Sequence, residues 1–254
     1  MPILRDSAPV FFPKDNVKLS KYFDFLKFLS LLSSRSLFFC RLDKLEDQFE
    51  GMTAKQNLQL RINWHKKTNW NNLSEEQIKE QVNDMYAYDH KVKEFTCVCC
   101  WNKAENESAA LWKIYSDLGK GIMIRTSVKN LIASLENTRE QIRMSEIRYI
   151  DYEKQAMPDG NTMFPLIHKQ LFYKYEEEVR LIYEVDFPQI GKKFEWENEP
   201  IMEGRLLKTN LAILIEEIVI GPYSPKWSKE LLSDLLKKYE LEIAITKSKL
   251  TLSN

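Results

Sequence analysis

The sequence predicts an α+β protein, with a central mixed, mainly antiparallel sheet and flanking helices. Three observations point there. Segments of helical and strand period are interleaved irregularly, with several strands adjacent in the chain, unlike the strict alternation of parallel α/β units. Hydrophobic residues fill 44% of the 254 positions, enough for a sizeable core and too many for a disordered chain. No internal repeat, low-complexity tract or long linker divides the chain, so 1–254 reads as one domain.

The elements follow in order. In 19–36, "LSKYFDFLKFLSLLSSRS", Phe25, Leu26, Leu29 and Leu32 recur at helical spacing and predict a helix. "SLFFCRL" at 36–42 reads as a strand, and "DKLEDQFEG" as a turn or short helix stopped by Gly51. Residues 53–67 and 74–91 are mostly polar with periodic apolar positions, and Ser74 with Gln77 forms a capping-box pattern. This stretch, about 53–92, has the character of a helical insertion. "EFTCVCCW" predicts a strand, "ESAALWKIYSDL" a helix, and "GKGIMIRT" a strand after a glycine turn. Ser127 opens a short helix, "IRMSEIRYIDY" reads as a strand or hairpin arm, and a helix is expected after Pro165. "VRLIYEVD", "LIEEIVIGP" and "LEIAITK" read as strands, and an amphipathic helix with Ser224 as N-cap lies between the last two.

Charge excludes some functions. Lys+Arg and Asp+Glu both number 37, so no global field draws the chain to nucleic acid or an anionic membrane. The N-terminus carries Arg5, Asp6 and three prolines, unlike a signal peptide, and no window approaches the ~18–20 apolar residues of a membrane span. A cytoplasmic protein is expected. Three of the four cysteines crowd into "FTCVCCW", a pattern of reduced core thiols rather than a disulfide framework or zinc site. The three histidines are isolated from one another, and the glycine loop of a phosphate cradle is missing.

Three stretches carry chemistry. In "FYKYEEEVRL", an extended backbone places Glu176, Glu178 and Arg180 on one face and Glu177 on the other. Two carboxylates beside a guanidinium can raise one carboxyl pKa and orient an anion. The bland alternative is a solvated ion pair worth ~0.3–0.5 kcal/mol. In "ESAALWKIYSDL", Trp112 and Tyr115 share a helical face with Leu111 and could pack in the core or line a pocket. In "CRLDKLEDQFEG", Asp43, Glu46, Asp47 and Glu50 crowd together; they would repel at i, i+4 in a helix, unless they hold Mg²⁺ or an arginine such as Arg41 or Arg180.

The order of these motifs over about residues 20–245 resembles the uncharacterised bacterial family called domain of unknown function 2971. Asp47, Phe49 and Glu50 match its acidic motif, with Glu46 and Gln48 where the family has asparagine and proline. Leu111, Trp112 and Tyr115 match its aromatic helix, and Tyr175, Glu176, Glu178 and Arg180 its late motif. Arg41, Tyr115 and Glu178 also loosely resemble the NAD-clamping groups of ADP-ribosyltransferases, although no Ser-Thr-Ser segment accompanies them. That resemblance implies a nucleotide-acting transferase or glycohydrolase, with Arg41 on a phosphate or ribose, Tyr115 stacked on nicotinamide and Glu178 stabilising an oxocarbenium charge. The alternatives are a non-catalytic module for an anion, nucleic acid or protein partner, drawing on Arg180, Lys169, Lys174, Trp112 and Tyr115, and a metal-dependent phosphodiesterase using Asp43, Asp47 and Glu50. The residues nominated are therefore Glu178, Glu176 and Arg180 for catalysis and Arg41, Trp112, Tyr115, Asp47, Glu50 and Lys169 for ligand, with NAD or a divalent cation as cofactor.

Overall fold

Strand alternation sorts the chain onto two faces of one large sheet. The computed structural model describes residues 2–5, 10–69, 71–103, 105–116, 121–184 and 202–250. In chain order the elements are β1 (Ile3–Leu4), β2 (Lys18–Phe23), α1 (Phe25–Ser34), β3 (Ser36–Arg41), α2 (Lys55–Thr68), α3 (Glu75–Val92), β4 (Thr96–Lys103), α4 (Ala109–Tyr115), β5 (Ile122–Ser127) and α5 (Val128–Ser134). There follow β6 (Ile142–Glu146), β7 (Arg148–Ile150), α6 (Met163–Leu166), β8 (His168–Gln170), β9 (Glu178–Glu184), β10 (Gly204–Lys208), α7 (Leu211–Leu214), β11 (Glu217–Ile220), α8 (Ser228–Lys238) and β12 (Ala244–Lys247).

Eight strands run in the order β1-β6-β9-β4-β2-β5-β11-β12, and β3 with β10 completes a ten-stranded sheet by joining β4. Only β1–β6 and β11–β12 are parallel in it, so the sheet is mixed and mainly antiparallel. β4 is its fork: one edge pairs with β9 from Thr96 to Asn102, while the other takes β3 at Cys97 and Val98 and β2 at Asn102 and Lys103. A separate parallel ribbon joins β7 to β8.

The main apolar core lies on the face that receives Cys97, Cys99 and Trp101 of β4 and Val179 and Leu181 of β9, packed against Phe28 and Leu32 of α1, Leu131 of α5, Leu214 of α7 and Leu232 of α8. The opposite face receives Val98 and Ile182 and is covered by Val92, Met163 and Leu166. Farther along that face, Leu111 and Trp112 of α4 pack on Tyr22 and Met123. Among the described residues no helix is long and apolar enough to cross a membrane.

Local signals hold where they are local. Ser74 and Gln77 form a reciprocal capping box, and Ser108 and Ser127 cap α4 and α5. Four expectations are corrected. The stretch 19–36 is not all helix: β2 pairs with β5 through Phe23, and Asp24 then caps α1 by accepting from Lys27 N at 2.7 Å. No helix runs on from Pro165: the single turn Met163–Leu166 contains it, and His168–Gln170 finds its backbone partners in β7. Ser224 is not the N-cap of α8: Ser228 N closes a turn on Pro225 O, and Trp227 occupies the cap. Finally, the strand at β9 begins only at Glu178; Leu171–Glu176 is a 3-10 helix, and Glu177 takes a left-handed conformation at φ 42°. The turn expected at Gly119 and the end of "VRLIYEVD" beyond Glu184 lie outside the described residues.

Candidate functional site

The second face of the sheet carries a buried cluster of charge at β9. Alternation sends Glu178 and Arg180 to that face, where Arg180 stands opposite Cys100 of β4. Glu176 reaches the same place by another route. The left-handed residue Glu177 reverses the chain between the 3-10 helix and β9, so Glu176 and Glu178 both turn inward while Glu177 stays exposed. Glu50 comes from the "DQFEG" turn, and Lys169 from β8.

Gly51 is what lets that turn close. Its φ is +69°, and a Cβ there would meet Leu42 Cδ2 at 2.5 Å and Lys93 Cγ at 3.1 Å. Residues 42–44 form a 3-10 turn and no α-helix follows, so the feared i, i+4 repulsions among the four acids do not arise. Asp43 faces Arg41 while Glu50 is buried.

Arg180 is fully buried and all its nitrogens are used. Nε donates to Glu178 Oε1 at 2.6 Å, Nη1 to the Leu166 carbonyl at 2.8 Å, and Nη2 to Glu50 Oε2 at 2.9 Å and Glu178 Oε2 at 3.1 Å. Lys169 is the second hub: Nζ donates to Glu176 Oε2 at 2.6 Å and Glu178 Oε2 at 3.5 Å, beneath the Tyr173 ring at 4.6 Å. It also lies 2.8 Å from Glu50 Oε1, an ion-pair contact out of line for a hydrogen bond, which leaves that oxygen buried without an aligned donor. Tyr115 Oη donates to Glu176 Oε1 at 2.6 Å, and Glu178 N donates to Tyr149 Oη at 2.8 Å.

Three carboxylates against two cations leave one negative charge in excess. Burial favours neutralising that excess by the uptake of a proton. The carboxyls answer differently. Burial pushes Glu178 upward, but the Arg180 and Lys169 charges overcome it and hold the carboxyl down near 2. Among the described residues no arginine contacts Glu176; burial raises it against the pull of Lys169, and the neighbouring Glu178 charge adds to the rise. Tyr115 and Tyr149 are raised, first by burial and then by the carboxylates beside them. The rim over Glu176 and Lys169 is aromatic, with Tyr115 41% and Tyr175 47% exposed.

Of the residues nominated from sequence, Glu50, Lys169, Glu176, Glu178, Arg180 and Tyr115 converge. The holding of Arg180 by an acid of the 43–50 stretch is realised by Glu50. Three do not join. Arg41 leaves β3 on the side of Cys97, its register partner, opposite to Arg180, and its guanidinium grips Asp43 at 2.6 and 2.7 Å. Trp112 is fully buried, edge-on to Tyr22 at 5.0 Å, with Nε1 donating to Glu107. Asp47 turns one oxygen to Phe49 N at 2.9 Å. Among the described residues no three His, Cys, Asp or Glu side chains are grouped to hold a metal ion. Sequence reasoning missed Tyr149 and the rim residue Tyr173. Tyr149 lies in β7, whose pairing with β8 is non-local, and Tyr173 lies in a 3-10 helix where a strand entrance was expected, so only their aromatic character was visible.

In comparisons with family models, with curated proteins and with solved structures, nothing matched this chain.

Proposed function

We propose that this chain is a cytoplasmic enzyme that binds a nucleotide at the aromatic rim of the charge cluster and cleaves its glycosidic bond, without the ADP-ribosyltransferase-like clamp, since Arg41 lies on the other face of the sheet from Glu178. One observation carries the reading: two carboxyls of one cluster, Glu176 and Glu178, are driven in opposite directions by their surroundings. Such a split gives two carboxyls of one site different roles, one more ready to take up a proton and the other held as an anion. Glu176 is the group that gives and takes the proton, since it lies beneath the exposed edge of Tyr115. Tyr115 and Tyr175 stack on the planar ring. Glu178 stays ionised and supports positive charge developing at the sugar, while Arg180, itself held by Glu50, keeps it in place. The motif-based resemblance to the domain of unknown function 2971 family belongs to this proposal and brings no activity of its own.

The test is incubation of the protein with NAD and with nucleoside mono- and triphosphates, read by chromatography of the released base. Wild type releases base and Glu176→Gln does not, with its melting curve still cooperative. Equal base release by both proteins, or none from either, overturns the proposal. A non-catalytic binding module is the second reading, favoured by the cluster's charges being answered within the cluster. It expects nucleotides to raise the melting temperature without turnover.

A further inference from the structure

A second site lies on the other side of the turn that delivers Glu50. A cavity of about 510 Å³ opens between the C-terminal end of α3 and Asp43, lined by Tyr86, His90, Lys91, Lys93 and Glu94. That volume suits a ligand of mononucleotide size. Three of its charges are already matched: Lys91 Nζ lies 2.5 Å from Glu94, and Asp43 is gripped by Arg41 at 2.6 Å. Lys93 is different. It is only 7% exposed, its stem packs on Gly51, and its ammonium donates to the Gln48 carbonyl at 3.0 Å. No carboxylate among the described residues lies within ion-pair distance of it. An ammonium has three N–H donors, and a buried charge without a counter-charge is costly. Burial lowers the Lys93 pKa, while Asp43, Glu50 and Asp47 offset this from farther off. The wall beside it is aromatic, with Tyr86 edge-on to His90 at 4.7 Å. Burial and the Lys93 charge lower the His90 pKa, so that ring stays neutral.

We propose that this cavity binds a small phosphorylated ligand bearing a planar ring, with the phosphate on Lys93 and the ring against Tyr86 and His90. The site is separate from the charge cluster. The segment between Leu45 and Gly51 touches both, with Glu50 turned to Arg180 and the Gln48 carbonyl accepting from Lys93.

Calorimetric titration of the full-length protein with AMP, adenosine and inorganic phosphate tests it. Wild type binds AMP more tightly than either adenosine or phosphate. Lys93→Met keeps the buried stem, removes the charge and weakens AMP binding about tenfold to a hundredfold, the worth of a charge-assisted hydrogen bond. Unchanged AMP affinity in Lys93→Met overturns the proposal and puts the ligand elsewhere, the charge cluster included. Absence of AMP binding to wild type at millimolar concentration overturns it too. Where Lys93→Met does not fold, protection of Lys93 by AMP from an amine-acylating reagent, read by mass spectrometry, decides: no protection overturns it.

Discussion

The two faces of β9 are built from opposite materials. Val179 and Leu181 enter an apolar core that runs beneath four helices, while Glu178 and Arg180, one residue out of step, enter a cluster of three carboxylates and two cations. Both faces are equally dry: Leu181 and Arg180 are each 0% exposed. What differs is how each responds to loss. An apolar side chain can be shortened at a cost set by the volume vacated. A charge in a closed cluster cannot be removed without leaving its partners buried and unpaired.

The largest expected effect contrasts these two neighbours. Arg180→Met strands Glu178 and Glu50 and lowers stability by about 3–5 kcal/mol. Leu181→Ala falls in the similar range of about 2–5 kcal/mol. The conservative exchanges then separate the faces: Leu181→Met costs less than about 1.5 kcal/mol, whereas Arg180→Lys forfeits the fork that serves both Glu178 and Glu50 and costs more. Urea denaturation of the four variants checks this. An Arg180→Lys protein as stable as Leu181→Met would break the comparison.

The next effect is its dependence on pH. Glu178 has a folded pKa near 2, below the unfolded value of about 4.3, so its contribution is present above that unfolded value and disappears as pH falls toward 2. Glu176 has the opposite sign: its folded pKa is raised, so stability declines as pH rises through the interval between its unfolded and folded values. Urea midpoints measured from pH 2 to 8 should show the acid loss flattened in Glu178→Gln and unchanged in slope in Leu181→Ala.

A smaller effect belongs to Tyr115. Tyr115→Phe removes the donor to Glu176, costs about 1 kcal/mol and moves the Glu176 pKa further up, since that hydrogen bond lowers it. Carbon-13 titration of the glutamate carboxyls measures the shift; a downward move contradicts the account. The smallest effect is at Glu177. Its left-handed backbone is unfavourable for a residue with a Cβ, so Glu177→Gly stabilises by about 0.5–1 kcal/mol despite the greater freedom of glycine in the unfolded chain. A lower melting temperature for that variant would mean the reversal at 177 is held by more than its backbone.

Much of the charged face was legible in the sequence because a period of two is local. Glu178 and Arg180 share a face wherever β9 goes, and Glu50 stood out because acids crowded at 43–50 need a reason. Register is not local. Nothing within "SLFFCR" says that Arg41 will pair with Cys97 and so take the side away from Arg180. Lys169 was visible only as a charge. Its place as a hub depends on β8 pairing with β7, which overrides the helix that Pro165 suggests. Glu176 arrived on the expected face for a different cause, a left-handed turn instead of strand alternation.

The fork at β4 has a consequence for how this chain comes off the ribosome. β4 needs β9 along seven of its eight residues, yet its other partners, β2 and β3, are made before it. Arg180 and Glu50 are separated by 130 positions. A nascent chain that has reached Lys169 therefore exposes Glu50, Lys169 and the unpaired edge of β4 with no Arg180 to close them. Closure must wait for a long loop to be drawn in, which makes it a slow step and the earlier chain a client for chaperones.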